Sequence, residues 1–124
     1  MTLNDRLVET KGAILVVEDE MLIALDIQMQ LEDVGWSVLG PAGNVTQAQA
    51  LLQDRRPAFA VLDVNLGRNT SFAFADELAA QQIPFVFLSG GTRDVLPDRF
   101  ADRDLLQKPI RFEDLVDILR RHAA

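Results

Sequence analysis

The chain contains no cysteine and no tyrosine, and only one histidine and one tryptophan. Without cysteine there is no disulfide framework, no thiolate nucleophile and no thiolate-held zinc, and a single histidine argues against a histidine-rich metal site. Metal chemistry, if present, has to use oxygen ligands. Positive charge is scarce as well: 12 Lys and Arg stand against 19 Asp and Glu, a net charge of −7. A surface of that sign repels phosphate backbones and anionic lipid, so direct nucleic-acid binding is disfavoured. No stretch reaches the roughly 18 apolar residues of a membrane span, and residues 1–11, which carry Asp5, Arg6 and Glu9, lack the apolar centre of a secretion signal. The expectation is a cytoplasmic protein with no membrane attachment.

The 124 residues are 48% hydrophobic and 25% charged, enough apolar material for one well-packed domain. Five short apolar runs, at 13–17, 36–39, 59–62, 85–88 and 104–107, start 23, 23, 26 and 19 residues apart. That spacing is too wide for hairpins and fits a strand followed by a returning helix. The first, third and fourth runs are apolar without alternation, as in strands covered on both faces. Between them, residues 20–34 place Leu22, Ile23, Ile27, Leu31 and Val34 near helical spacing, with Met21 and Met29 as helix packing and Gly35 as the stop. Asn44 is an N-cap for a second helix that ends before Pro57, and Thr70 or Ser71 caps a third. The last helix spans 112–122, with Glu113 and Asp114 where the dipole favours them. Gly90, Gly91 and Pro97 predict that the helix in the connection over 90–103 is short, displaced or partly irregular. The fold class is α/β: a doubly wound, flavodoxin-like three-layer α/β/α sandwich with a five-stranded parallel sheet; if its order is 2-1-3-4-5, strands one, three, four and five are contiguous and their ends converge on one pocket. Residues 1–11 form a tail and 12–124 the domain.

In such sheets ligands sit at the carboxyl ends of the strands. Those ends carry Glu18, Asp19 and Glu20 after the first strand, Asp63 after the third, Ser89 after the fourth and Lys108 with Pro109 after the fifth, whereas the second ends in Gly40 and Pro41. Two carboxylates about 4 Å apart repel by about 4 kcal/mol at an effective dielectric of 20, a cost sustained only with positive charge between them. Lys108 supplies one charge, and an oxygen-liganded divalent ion, for which Mg²⁺ is suited, supplies the rest.

The acidic pair after the first strand, Leu62-Asp63-Val64, Ser89-Gly90 and Lys108-Pro109 together resemble the receiver domain of two-component response regulators, from about Ala13 to His122. The resemblance implies that Asp63 is the phosphoacceptor and that Ser89 is the switch hydroxyl. It likewise makes Lys108 the phosphoryl-contacting lysine and Glu18, Asp19, Asp63 and the Asn65 carbonyl the Mg²⁺ ligands. It also implies a cis Lys108–Pro109 peptide, and a histidine kinase or histidine phosphotransfer protein as donor. Two positions depart from the family pattern. Leu105 stands where an aromatic is usual, and Glu18 where many members have Asp. Pro84-Phe85-Val86-Phe87-Leu88-Ser89-Gly90 and Gly40-Pro41-Ala42 resemble bacterial stand-alone receivers, although Leu88 and Ser89 replace Ala and Thr of their motif.

The chemistry suits these roles. An aspartate nucleophile needs no general base, only neutralisation of charge on the transferring phosphoryl group. The domain would then be no enzyme beyond its own phosphorylation and dephosphorylation. Asn65, not a second Asp, follows two residues after Asp63, which argues against a haloacid-dehalogenase-like phosphatase, and the acids after the first strand would repel a flavin phosphate. Glu20 reads as an acidic helix start and His122 as a solvated helix residue. With the chain ending just past the last helix, output is expected through a downstream protein on the face that runs from Gly90 through Leu105 to His122, with a homodimer left open.

Overall fold

The computed structural model describes residues 12–122, so the tail expected over residues 1–11 lies outside the described part. Five parallel strands form the central sheet: β1 (Ala13–Val17), β2 (Ser37–Ala42), β3 (Phe59–Asp63), β6 (Phe85–Ser89) and β7 (Leu105–Gln107). They lie in the order β2-β1-β3-β6-β7, which is the predicted 2-1-3-4-5 order once a short extra hairpin, β4 (Asn65–Leu66) with β5 (Asn69–Thr70), is set aside. The helices are α1 (Met21–Asp33), α2 (Val45–Asp54), α3 (Phe72–Ala80) and α4 (Phe112–His122).

The unalternating runs are explained by burial on both faces. Every residue of β1, β3 and β6 is buried, and successive side chains feed two separate cores. Ile14, Val16, Phe59, Val61, Val86 and Leu88 pack with Ile27 and Leu31 of α1 and Leu115, Ile118 and Leu119 of α4. Leu15, Val17, Ala60, Leu62, Phe85 and Phe87 face Ala48 of α2 and Phe74, Ala75 and Leu78 of α3. Each such side chain contributes about 1.5–3 kcal/mol on burial, and a one-residue slip of any central strand would exchange its two cores.

The helix ends follow local chemistry. Asn44 caps α2 by accepting the Gln47 N–H at 2.8 Å. Gly35, at φ +97°, ends α1 in a Schellman motif in which Gly35 N–H donates to Glu32 and Trp36 N–H to Leu31. Ser71 occupies the cap position of α3, but its backbone is not extended and its side chain makes no cap hydrogen bond. The end of α3 repeats the Schellman pattern, with Gln82 N–H on Ala79 and Ile83 N–H on Leu78. Here a glutamine holds the left-handed position, at φ 59°.

Three expectations change. The second strand, expected to end in Gly40 and Pro41, runs on to Ala42. It bulges at Gly40–Pro41, which is cis, and resumes pairing at Val17↔Ala42; a Cβ on Gly40 would fall 2.6 Å from the Ala42 nitrogen. An edge strand tolerates proline in this way. Met21, Leu22 and Met29, expected to pack, are 73%, 84% and 64% exposed. The buried seam of α1 is Ala24, Ile27 and Leu31, and Leu22 lies about 200° around the helix from Ala24. Val34, expected on the same stripe, is exposed as well. The helix expected over 90–103 to be short, displaced or partly irregular is reduced to two 3-10 turns, Arg93–Val95 and Asp98–Phe100. Buried Leu96 and Phe100 anchor it, and Phe100 packs against Phe72, Phe85 and Phe87 at centroid distances of 6.1, 6.0 and 5.4 Å.

Replacing Gln82 by glycine should therefore stabilise the domain by about 1 kcal/mol, because the left-handed conformation costs a side-chain-bearing residue about that much. A chemical-denaturation midpoint that stays level or falls in Gln82→Gly would contradict this account of the α3 terminus.

Candidate functional site

The carboxyl ends of β1, β3, β6 and β7 converge, and the charges they carry meet. The Glu18 backbone N–H donates to Ala42 at 2.9 Å, which fixes the turn leaving β1 and directs the Glu18 side chain inward. Lys108 leaves the end of β7, where its own N–H donates to the Ser89 carbonyl at 2.7 Å and its peptide bond to Pro109 is cis. The lysine ammonium lies 2.8 Å from Glu18 Oε1, 3.0 Å from Asp63 Oδ2 and 3.6 Å from Glu20 Oε1. Ligand atoms of Glu18, Glu20 and Asp63 all lie within 4.8 Å of one another.

Three carboxylates around one ammonium leave an excess of negative charge in a largely buried place. Glu18 is 2% exposed and Asp63 4%. Burial, reinforced by the neighbouring Asp63, raises the Glu18 carboxyl from its ordinary 4.5 to about 7, against the opposing pull of Lys108 and of the Glu20 N–H. Burial acts to lower the Lys108 ammonium, but Glu18 and Asp63 together outweigh it and hold the lysine above its ordinary value. Glu18 Oε1 is also buried without a partner in hydrogen-bond geometry, although the ammonium is at ion-pair distance. Three carboxylates sharing a single ammonium in a largely buried place fit a hard, oxygen-seeking divalent cation.

The other expected site residues stand nearby in different relations. Asn65, in β4, donates its N–H to Asp63 Oδ1 at 3.4 Å. The buried Ser89 hydroxyl oxygen accepts the Gly91 N–H at 2.9 Å. Asp19 is exposed and lies outside the Glu18–Glu20–Asp63 trio; its Oδ2 accepts the Gly67 N–H at 2.9 Å. Glu20, expected only as an acidic helix start, joins the trio instead. Its N–H also donates to Glu18 Oε2 at 3.1 Å. Three consecutive acids give no sign of which will face inward, because the turn after β1 decides it. His122 sits at the opposite end of the sheet, with Nε2 2.9 Å from Asp104 Oδ2.

A model of the response regulator receiver domain matches residues 14–120. The chain belongs to this family. The receiver is 39% identical to SdrG from Sphingomonas melonis Fr1, whose solution structure it matches with a TM-score of 0.80 over 93% of this chain and 98% of that one. It is 31% identical to the transcriptional regulatory protein PdtaR of Mycobacterium tuberculosis over 83% of this chain, and 32% identical to the phyllosphere-induced regulator PhyR of Methylorubrum extorquens over 70%. The receiver spans 52% of the length of PdtaR and 32% of that of PhyR. It is thus a signalling domain of a two-component system, a family that binds Mg²⁺ at an acidic pocket and works with histidine kinases or phosphotransfer proteins. Among the described residues no helix is long and apolar enough to cross a membrane.

The raised Glu18 carboxyl has a consequence for stability without metal. Between pH 4.5 and about 7 the folded receiver holds a proton on Glu18 that the unfolded chain has released, so stability must fall as pH rises through that window. The loss should be at most about 3 kcal/mol. Unfolding of metal-free protein from pH 4.5 to 8 should show the decline, and Glu18→Gln should flatten it. An equal slope in both proteins would show that Glu18 is not the source.

Proposed function

We propose that the receiver takes a phosphoryl group onto Asp63 from a phosphohistidine on a kinase or phosphotransfer protein, in the cytoplasm where such donors are made. The observation that carries this reading is the Lys108 ammonium 3.0 Å from Asp63 Oδ2 at the shared ends of β3 and β7. In the transfer an Asp63 carboxylate oxygen forms the new bond to phosphorus as the nitrogen–phosphorus bond breaks, and the bonding pair leaves with the imidazole. Lys108 holds the acceptor carboxylate in place and offsets charge on the equatorial oxygens, while the Asn65 N–H steadies Oδ1. Glu18 and Asp19, with Asp63 and the Asn65 carbonyl, would hold Mg²⁺, which supplies the rest of the charge neutralisation. Glu20 is placed to contribute as well. A solution structure of SdrG in a BeF3-activated conformation, 38% identical to this chain with a TM-score of 0.76, supports the same reading.

The donor has to cover the rim of this pocket, and the rim has an apolar side. Met21, Leu22, Leu25 and Met29 are exposed along α1, directly after the Glu18-Asp19-Glu20 turn, and α1 carries no lysine or arginine. A partner that buries such a stripe needs apolar side chains flanked by basic ones. Acetyl phosphate with Mg²⁺ should therefore label Asp63 in the wild type and equally in Leu22→Asp/Leu25→Asp, measured as one phosphoryl group by intact mass. Transfer from a phosphohistidine protein should fall at least about tenfold in the double variant. Labelling retained in Asp63→Asn, or complete in chelator, would overturn the assignment.

Output is read as a change on the face formed by the segment from Gly90 to Arg103, Leu105 and α4. The Ser89 hydroxyl that now accepts the Gly91 N–H would turn to donate to the phosphoryl group, freeing a Gly-Gly backbone that follows at low steric cost. Leu105 only packs against the aromatic core, so the glycine segment carries the change. With beryllofluoride and Mg²⁺, amide exchange should change most between Ser89 and Arg103, next around Leu105, and least in α2. A response centred on α2, or one unaltered in Ser89→Ala, would contradict this route.

A further inference from the structure

The amino end of the sheet carries a second pocket, different in character from the first. It has a volume of about 420 Å³ and is lined by Ala79, Gln82, Ile83, Pro84, Arg103 and His122, with no carboxylate among the described residues that line it. Pro84 immediately precedes β6 and Arg103 comes just before β7, at the strand ends away from Asp63. Arg103 is the only arginine among the described residues that is not exposed. Its backbone is fixed from both sides: its N–H donates to the Phe100 carbonyl at 3.0 Å, and its carbonyl accepts from the Arg93 guanidinium at 2.6 Å. The Arg103 guanidinium lies over the buried Phe85 ring, 4.5 Å from the centroid. Yet among the described residues it pairs with no carboxylate. The adjacent Asp104 is taken up by Arg121 at 3.4 Å and His122 at 2.9 Å, and Asp102 is exposed and does not line the pocket. A guanidinium presents five donors in a fixed fork that matches a carboxylate; here the fork is positioned without one to engage.

Gln82 points to a ligand independently. It holds φ 59° at the end of α3, where glycine costs less, and it lines this pocket. A side chain kept where its removal would relieve the backbone is kept for what it touches. We propose that the pocket receives the glutamate side chain of a partner polypeptide, its carboxylate on the Arg103 guanidinium and the Gln82 amide, its methylene groups against Ala79, Ile83 and Pro84. Arg103 pairs with such a carboxylate through two parallel N–H donors. Gln82 and His122 are exposed, so the pocket stays open on one side and cannot enclose a free small molecule, whose sites bury roughly 70–90% of the ligand. On a chain of net charge −7 an acidic partner is repelled by most of the surface, so a lone unpaired guanidinium sets where it docks as well as how tightly.

Chemical shifts of the Arg103 Nε–H, the Gln82 side-chain amide and the Ile83 backbone amide, followed in the whole chain at constant ionic strength, test this with three probes. These are the capped tripeptide alanyl-glutamyl-alanine, its glutaminyl counterpart and free glutarate. The glutamyl peptide should saturate the shifts with a Kd of about 1–10 mM, and the glutaminyl peptide should bind at least about tenfold more weakly. Arg103→Met keeps an apolar stem beside Phe85 and removes the fork, so affinity should fall at least about tenfold. Gln82→Gly should weaken binding by about threefold while its denaturation midpoint rises, opposite signs that a merely structural role would not give. Equal affinity for the two peptides, saturation by neither, or unchanged affinity in Arg103→Met would overturn the carboxylate site. Undiminished affinity in Gln82→Gly would overturn the role given to Gln82. Glutarate binding at least about tenfold tighter than the glutamyl peptide would overturn the polypeptide occupant in favour of a free dicarboxylate. Should Arg103→Met not fold, the comparison of the two peptides and Gln82→Gly decide the matter without it.

Discussion

One ammonium set among three carboxylates at the open end of a parallel sheet is the constraint from which the rest of this receiver follows. The sheet cannot bring Glu18, Glu20 and Asp63 within 4.8 Å of one another without a repulsion of several kcal/mol. Lys108 offsets only part of it, and burial, reinforced by the neighbouring Asp63, raises the Glu18 carboxyl to about 7. A pocket left electrostatically incomplete in this way attracts a divalent cation and, through it, an anionic group. On the proposed reading, the reactivity of Asp63 is a property of the charge around it and not of a separate catalytic base.

The scaffold that bears this repulsion is apolar on both faces. Glu18, Asp63 and Ser89 follow or end strands whose every residue is buried, so the carboxylates cannot move apart without disturbing one of two cores. The edges are softer. β2 carries the Gly40–Pro41 bulge and β7 only three residues, and beside β7 the polypeptide runs through two 3-10 turns held mainly by Leu96 and Phe100. Arg99 ties that segment to α3 through Asp76 at 2.9 and 3.1 Å, an exposed pair that adds little rigidity. A rigid acceptor beside a weakly held segment is an arrangement in which a local charge change has a distant effect.

Two side-chain-to-backbone contacts join the strand ends to neighbouring loops. Ser89 to Gly91 joins the end of β6 to the 3-10 segment, and Asp19 to Gly67 joins the acidic turn to the hairpin after Asp63. Each pairs a side chain at the carboxyl end of a strand with the backbone amide of a glycine. The apolar stripe of α1 is different in kind. It is fixed, exposed and next to the acidic turn, which makes it a surface to be covered and not one that moves.

The sequence by itself determined the sheet, because runs with no polar alternation can only be strands buried on both faces, and their spacing of about two dozen residues admits little besides a returning helix. It also determined the stop at Gly35 and the start at Asn44, where the chemistry is local; that Asp63 meets Lys108 follows once the strand order is known. Tertiary structure decided what depends on direction around a turn or a helix. Glu20 joins Glu18 and Asp63, while Asp19 accepts the Gly67 N–H, a division set by the turn after β1. Leu22 faces solvent because a seam of Ala24, Ile27 and Leu31 suffices to cover the sheet. The β4–β5 hairpin had a signal in Gly67-Arg68, but with two residues on each side it was too short to announce itself as strand. Periodicity records which residues are apolar; which way each one points is settled only when the elements pack.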